Sequence, residues 1–142
     1  MMALFLLAQV AGRAVAIPAE QVDSVVDLDA VVPVPGAERA IRGLAALRSR
    51  VVTVIDTGVA LGLPSTPPHI RRAVITRVDG HHYAVLVDSL EDVAPFATMP
   101  LAGLPLRHGW AAAGTSLVER DGEPVLVIDL SQLLPGTVVL AA

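Results

Sequence analysis

The sequence predicts a mainly β protein made of two five-stranded, barrel-like subdomains with short helices. Short β-branched runs alternate with turn signals along the chain, as in small β-sheet domains. The run V-L-V-I-D at 125–129 repeats V-T-V-I-D at 52–56 about 70 residues later, which indicates a duplication. With 142 residues, 54% of them apolar and 17% charged, the chain can fill a compact core.

Turn signals between apolar runs define the elements of the first half. Residues 2–10 could also be a signal peptide, but the run is short and has no basic start, so we expect a first strand. Prolines in 29–40 exclude a central strand there. In order, we predict strands 2–10 and 13–18 around a turn at 11–12, a helical turn at 18–21, a strand-like run at 22–28, a loop at 29–40, and strands 43–47 and 51–55 around a cationic tip at 48–50.

The second half contains two further hairpin signals. Asp-Gly pairs at 79–80 and 121–122 are favoured two-residue turns. The predicted elements are strands 72–78 and 81–87, a loop-rich crossing over 95–110, and strands 113–119 and 124–129.

A segment rich in proline and serine at 62–68 is the best candidate for a linker between the two copies. We therefore expect one domain over residues 1–142. Its first subdomain would span about 13–66 and its second about 67–136, with strand 2–10 shared between them.

Composition argues against several classes of function. The net charge of −4 disfavours a general nucleic-acid binder, which needs a basic stripe. Without cysteine the chain has no disulfide framework or thiolate metal site, which is compatible with the cytoplasm. No stretch approaches the roughly 20 apolar residues that span a bilayer, so we expect no membrane insertion.

Catalytic and metal chemistry find little support. His81 and His82 are neighbours in a strand, so their side chains point to opposite faces and cannot bind one ion together. His69 and His108 have no ligand neighbours in the sequence. Nucleotide-binding loops and nucleophile motifs are absent from the sequence. We therefore expect no enzymatic activity, no cofactor and no metal site.

Two aspartates end the two copies of the repeated run. Asp56 and Asp129 each precede a short helical segment, where a carboxylate can accept backbone N–H bonds. Because their positions in the repeat are equivalent, we interpret both as structural caps rather than catalytic groups.

Four arginines lie around one hairpin of an otherwise acidic chain. A guanidinium at a solvated turn can bind a carboxylate with two hydrogen bonds, which suits docking to a helix that carries carboxylates. The alternative is solubility together with pairing to acids at 23, 27 or 29. The arginines are Arg39, Arg42, Arg48 and Arg50.

This hairpin resembles the signature of the CheW-like domain, the adaptor fold of bacterial chemotaxis, which is roughly G-[VI]-[IV]-N-L-R-G-x-[VI]-[IVL]-P-[VI]-[VI]-D-L. The segments A-V-L-V-D-S-L-E-D-V and V-L-V-I-D-L-S-Q-L-L are similar to two further family segments, so the resemblance covers about residues 3–135. Departures from the signature are Ala46, Ser49, Thr53 and Thr57. Matches are Gly43, Leu47, Arg48, Val51, Val52, Val54, Ile55 and Asp56.

The resemblance implies two SH3-like barrels and a non-catalytic adaptor of chemotaxis signal transduction. Such an adaptor couples the cytoplasmic tip of a chemoreceptor to the regulatory domain of a CheA-type histidine kinase, in the cytoplasm and with recruitment to membrane receptor arrays. Arg48 is the family's signature arginine, in the region implicated in receptor binding. The receptor-side candidates are Leu47, Arg48, Arg50 and Val51. Weaker candidates are Arg39, Arg42, Val22 and Val25.

Other readings of the sequence stay open. The chain could be a divergent CheW-like scaffold in another two-component pathway or a type IV pilus pathway, or a β-barrel that binds a small molecule. Ala46 and Ser49 at the tip bear on this choice, because they replace the family's asparagine and glycine. The receptor, the oligomeric state and the docking of the segment 137–140 are not determined by the sequence.

Overall fold

A computed structural model describes residues 1–135 of the chain. Besides ten strands, this part contains two short α-helices, α1 (Thr57–Ala60) and α2 (Trp110–Ala113), and 3-10 helices at Ala19–Gln21 and Leu130–Leu133. The segment 137–140 lies outside the described residues. The strands are β1 (Ala3–Val10), β2 (Arg13–Pro18), β3 (Ser24–Asp27), β4 (Ile41–Leu47), β5 (Arg50–Ile55), β6 (Arg72–Val78), β7 (His81–Leu86), β8 (Ser89–Phe96), β9 (Gly114–Arg120) and β10 (Glu123–Ile128).

The strands form two five-stranded sheets, which confirms the predicted fold class. Sheet A has the order β8-β1-β2-β10-β9, and sheet B has the order β3-β6-β7-β5-β4. Most neighbours are antiparallel, but β10 runs parallel to β2 and β5 runs parallel to β7. Each sheet encloses a small apolar core of its own, and a larger cluster takes residues from both sheets and joins them.

The two sheets do not correspond to the two halves of the chain, so the expected subdomains at 13–66 and 67–136 are wrong as spatial units. Sheet A combines β1 and β2 with β8, β9 and β10, while sheet B combines β6 and β7 with β3, β4 and β5. Each half therefore donates its first hairpin to the sheet of the other half. Alternation and turn residues predict strands and hairpins, but they carry no information about long-range pairing.

Turn chemistry explains the hairpins. Among residues 1–135, three hairpins have two central turn residues with positive φ, as type I′ turns require. These turns are Ala11-Gly12, Asp79-Gly80 and Asp121-Gly122. In the β4–β5 hairpin only Arg48 has a positive φ, of 47°. An arginine in this region is uncommon, because its Cβ crowds the backbone there.

Two connecting loops protect the outer edges of the sheets. Val32, in the proline-rich loop before β4, exchanges backbone hydrogen bonds of 2.8 and 2.9 Å with Leu44. Met99 does the same with Leu117 of β9, at 2.7 and 2.8 Å. Where a loop was predicted from Pro95 onward, β8 continues to Phe96, because proline is tolerated in a strand at the edge of a sheet.

The helices are short. Among the described residues, no helix is long and apolar enough to cross a membrane.

Candidate functional site

The β4–β5 hairpin lies at the edge of sheet B, with one buried and one exposed face. Ala45, Val52 and Val54 point into the core of the sheet. On the other face, the side chains of Leu44 and Val51 are exposed to 38% and 63% of their area. Alternation along two paired strands explains this division, since successive side chains point to opposite faces. An exposed apolar surface therefore runs along the outer face of the hairpin.

The tip of the hairpin presents two exposed arginines. Arg48 lies in the turn, and among the described residues it forms no hydrogen bond or ion pair through its side chain. Arg50 begins β5, where its Nη1 contacts Nε2 of His82. The sequence placed Arg50 in the tip, but its backbone already belongs to the strand and pairs with Leu47. Both guanidinium groups are accessible to a partner.

The other two candidates at the tip differ in burial. Leu47 is half-buried and packs against the core of sheet B. Val51 lies opposite Ala46 on the exposed face. The structure therefore brings Leu47, Arg48, Arg50 and Val51 together within one turn and its flanking pairs.

Arg42 is engaged within the protein. Its Nη2 lies 2.8 Å from Oδ2 of Asp56 and also contacts the carbonyl oxygen of Thr66. Its side chain is 21% exposed, and that of Asp56 is 5% exposed. Because these contacts occupy the guanidinium group, Arg42 is poorly placed to bind a partner protein.

Asp56 is the centre of this network. Oδ1 accepts from the N–H of Val59, at the start of α1, at 3.2 Å and from the N–H of Thr66 at 2.9 Å. Oδ2 also accepts from Oγ of Ser65 at 2.5 Å. Burial alone would raise the pKa of Asp56, but the hydrogen bonds from Ser65, Thr66, Val59 and Arg42 together hold this pKa well below its ordinary value. Through these hydrogen bonds, the Asp56 carboxylate connects the base of the hairpin to residues 65–66, which follow α1.

Asp129 holds the equivalent position after β10. Its Oδ1 accepts from the N–H of Ser131 at 3.0 Å and from Nε2 of Gln21 at 3.1 Å. Gln21 in turn accepts the N–H of Leu130 at 2.9 Å. Asp129 is half-buried, and no arginine pairs with it among residues 1–135. The two caps thus hold equivalent positions in the repeat, but within residues 1–135 only Asp56 also forms an ion pair.

The remaining candidates lie away from the tip. Arg39 is exposed beside the base of β4, where Ala40 accepts a hydrogen bond from Asp56. Val22 is half-buried against the core between the sheets. Val25 is 39% exposed on β3. None of these three residues lines the cleft that Arg48 lines.

Sequence reasoning missed two residues of the exposed apolar face. Leu44 could have been found, because it shares the outward alternation of Val51. Val32 is exposed to 65% and pairs with Leu44, but its loop gave no signal for this pairing.

An open cleft of about 540 Å³ separates the hairpin tip from β3, and we call it the edge cleft. It lies between the two outermost strands of sheet B. Among the described residues, no group of three histidine or carboxylate side chains could hold a metal ion. Its lining includes Asp23, Ser24, Val26, Leu47, Arg48 and Arg50.

Comparisons with known proteins agree on one family. The chemotaxis protein CheW of Thermotoga maritima is 20% identical over 122 residues, which cover 86% of this chain and 81% of that protein. The crystal structure of the scaffolding protein TtCheW from Thermoanaerobacter tengcongensis superimposes with a TM-score of 0.80 at 20% identity, covering 94% of this chain and 92% of the other. The profile of the CheW-like domain matches residues 4–137, nearly the whole chain. The chain therefore belongs to the CheW-like domain family.

Proposed function

We propose that this protein is a non-catalytic adaptor of chemotaxis signalling, which couples a chemoreceptor to a CheA-type histidine kinase in the cytoplasm, beside membrane receptor arrays. The relatives are a chemotaxis protein and a scaffolding protein, which supports this assignment. The observation that carries it is the tip of the β4–β5 hairpin, where Arg48, which has no side-chain partner within residues 1–135, lies near the exposed Val51.

The chemistry of this tip suits a helical partner that carries carboxylates. A guanidinium binds a carboxylate with two parallel hydrogen bonds, and arginine is enriched in protein interfaces. Val51 and Leu44 add apolar area beside the charge. Leu47 supports the turn from the core side. Arginine is among the residues enriched at interface hot spots, and neighbouring contacts that exclude water surround such residues.

An adaptor must transmit geometry, so its docking surface must be held rigidly. The network around Asp56 fixes the base of the hairpin, and the inner face of the hairpin is part of a buried core. A small change in receptor geometry can then bias the kinase through a fixed spacing between two docking surfaces.

The test is a pull-down with the receptor signalling domain and the kinase regulatory domain of the same host. Arg48→Glu reverses the charge at the tip, and Arg107→Glu makes the same change at an exposed position in the loop before α2. We expect the wild type and Arg107→Glu to bind both domains. Arg48→Glu should lose receptor binding and keep kinase binding. If the wild type binds neither domain, the chemotaxis assignment is wrong.

Two alternatives have less support. An apolar pocket of about 240 Å³ in sheet B includes Leu28, Val31 and Ile70 in its lining, but typical ligand pockets measure about 300–1,000 Å³. The edge cleft, at about 540 Å³, falls within this range but is open to solvent, so neither site is the enclosed pocket that a small-molecule role needs. A scaffold in another two-component pathway or a type IV pilus pathway would use the same tip with a different partner, and the pull-down separates it from the chemotaxis adaptor.

A further inference from the structure

The edge cleft lies between the two outermost strands of sheet B and is wide enough to admit a further strand. Sheet B ends in β3 on one side and β4 on the other. Among the described residues, the outer edge of β4 is paired only at Leu44, by Val32. The part of β4 nearer the tip therefore presents unpaired backbone groups to the cleft. Val26 and Leu47, which both pack on the core of sheet B, also line it.

Sheet A provides an internal comparison, because the repeat relates the two sheets. Counting back from Asp129 and Asp56, Arg120 at the end of β9 corresponds to Leu47 at the end of β4. The similar segments 88–93 and 20–25 align Glu91 with Asp23.

In sheet A this pair of positions closes the gap between the outer strands. Nη1 of Arg120 lies 2.5 Å from Oε1 of Glu91, and Nε2 of Gln9 donates to Glu91 at 3.0 Å. These contacts join the end of β9 to β8. In sheet A, side-chain contacts therefore connect the two outermost strands.

In sheet B the corresponding ion pair is absent among the described residues, because Leu47 stands where sheet A has Arg120. Asp23 and Arg48 both line the edge cleft, but within residues 1–135 no ion pair joins them. The outer strand β3 of sheet B has only 4 residues, whereas its equivalent β8 in sheet A has 8. The same architecture is thus closed in one sheet and open in the other.

We propose that the edge cleft binds an extended segment of a partner protein, which adds as a strand to the outer edge of β4. Strand addition obtains affinity from backbone hydrogen bonds and specificity from alternating side chains. Apolar side chains of the segment would cover Val26 and Leu47, and acidic ones, which alternate with them, would face Arg48. Asp27 is paired with Arg72, but Asp23 and Asp29 also line the cleft and repel acidic groups, so they favour β4 over β3 as the pairing edge.

The test is a titration of the full chain, followed by fluorescence anisotropy, with a short fluorescein-labelled peptide of alternating valine and glutamate. Two control peptides have lysine in place of glutamate, or proline at alternate positions, where it removes N–H donors. Leu47→Arg would install the closing pair of sheet A opposite Asp23. Arg48→Glu tests the charge without touching the core, and Arg107→Glu is the matched control.

We expect the glutamate peptide to bind, and both control peptides to bind at least about tenfold more weakly. Leu47→Arg and Arg48→Glu should also weaken binding of the glutamate peptide by at least about tenfold, while Arg107→Glu leaves it unchanged. Absence of binding to the wild type would overturn the proposal. So would equal binding of the proline peptide, or unchanged binding by Arg48→Glu. A chain that binds the receptor domain and ignores the glutamate peptide would contradict this inference alone, and the adaptor assignment would stand.

Discussion

Arg42 and Asp56 form an ion pair across the base of the β4–β5 hairpin, with 2.8 Å between Nη2 and Oδ2. This contact joins β4 to the residue that follows β5, behind the surface proposed to bind a partner. Breaking such a pair by removing one charge is costly, because the other charge stays partly buried without compensation. The pair therefore ties the geometry of the docking tip to the stability of sheet B.

Asp56→Asn should destabilise the fold by about 2–4 kcal/mol, because it leaves Arg42 unpaired and weakens several hydrogen bonds. Asp129→Asn is the matched control at the equivalent cap, which is half-buried and has no paired arginine among the described residues. Its expected cost is about 1 kcal/mol. Urea unfolding measures both. Equal costs for the two variants would contradict the central role of Asp56.

The stability that Asp56 supplies should depend on pH in one direction. Its pKa is lower in the folded state than in the unfolded chain, so the unfolded state takes up a proton first as the pH falls. The contribution is complete above the ordinary carboxyl range and decreases below about pH 4. The difference in unfolding free energy between the wild type and Asp56→Asn should therefore shrink on acidification. A difference that grows below pH 4 would reverse the assigned shift.

Arg48→Gly should separate stability from function. Glycine adopts the positive φ of 47° without steric cost, but it also raises the conformational entropy of the unfolded chain, so we expect a net stabilisation of at most about 1 kcal/mol. Receptor binding should be lost with the guanidinium. Thermal unfolding and the pull-down measure the two effects. Arg48→Ala controls for the backbone, since it removes the charge and keeps the unfavourable φ.

Cutting the chain between residues 66 and 67 should give two fragments that are unfolded alone. Each sheet needs the first hairpin of one half and three strands of the other, so neither half can bury its own core. Mixed or expressed together, the fragments should form a folded heterodimer. Circular dichroism and analytical size exclusion measure this result. A stable, monomeric fragment 1–66 would contradict the exchange of hairpins.

Local features of the fold were accessible from the sequence. The turn pairs Ala11-Gly12 and Asp79-Gly80 carry the conformational preference that a type I′ turn needs, so their hairpins could be located closely. Proline in the loop 29–40 excluded a central strand in the same way. Signals of this kind depend on a few neighbouring residues only.

Features that depend on distant pairing were not accessible. The parallel pairing of β5 with β7 and of β10 with β2 decides which hairpin joins which sheet, and no residue type encodes it. The same limit applies to Arg42, which was predicted as a weak docking residue. Its engagement depends on Ser65 and Thr66 returning beside Asp56, which only the folded chain brings about.

The exchange of hairpins also has a consequence for biosynthesis. Val15 of β2 pairs with Leu126 of β10, so sheet A joins residues that are far apart in the sequence. Contacts of such long sequence separation slow folding, because a long loop must close before they form. The β1–β2 hairpin leaves the ribosome well before β10, its neighbour in the sheet, has been synthesised. Its apolar strands therefore stay exposed, or bound by a chaperone, until β10 emerges.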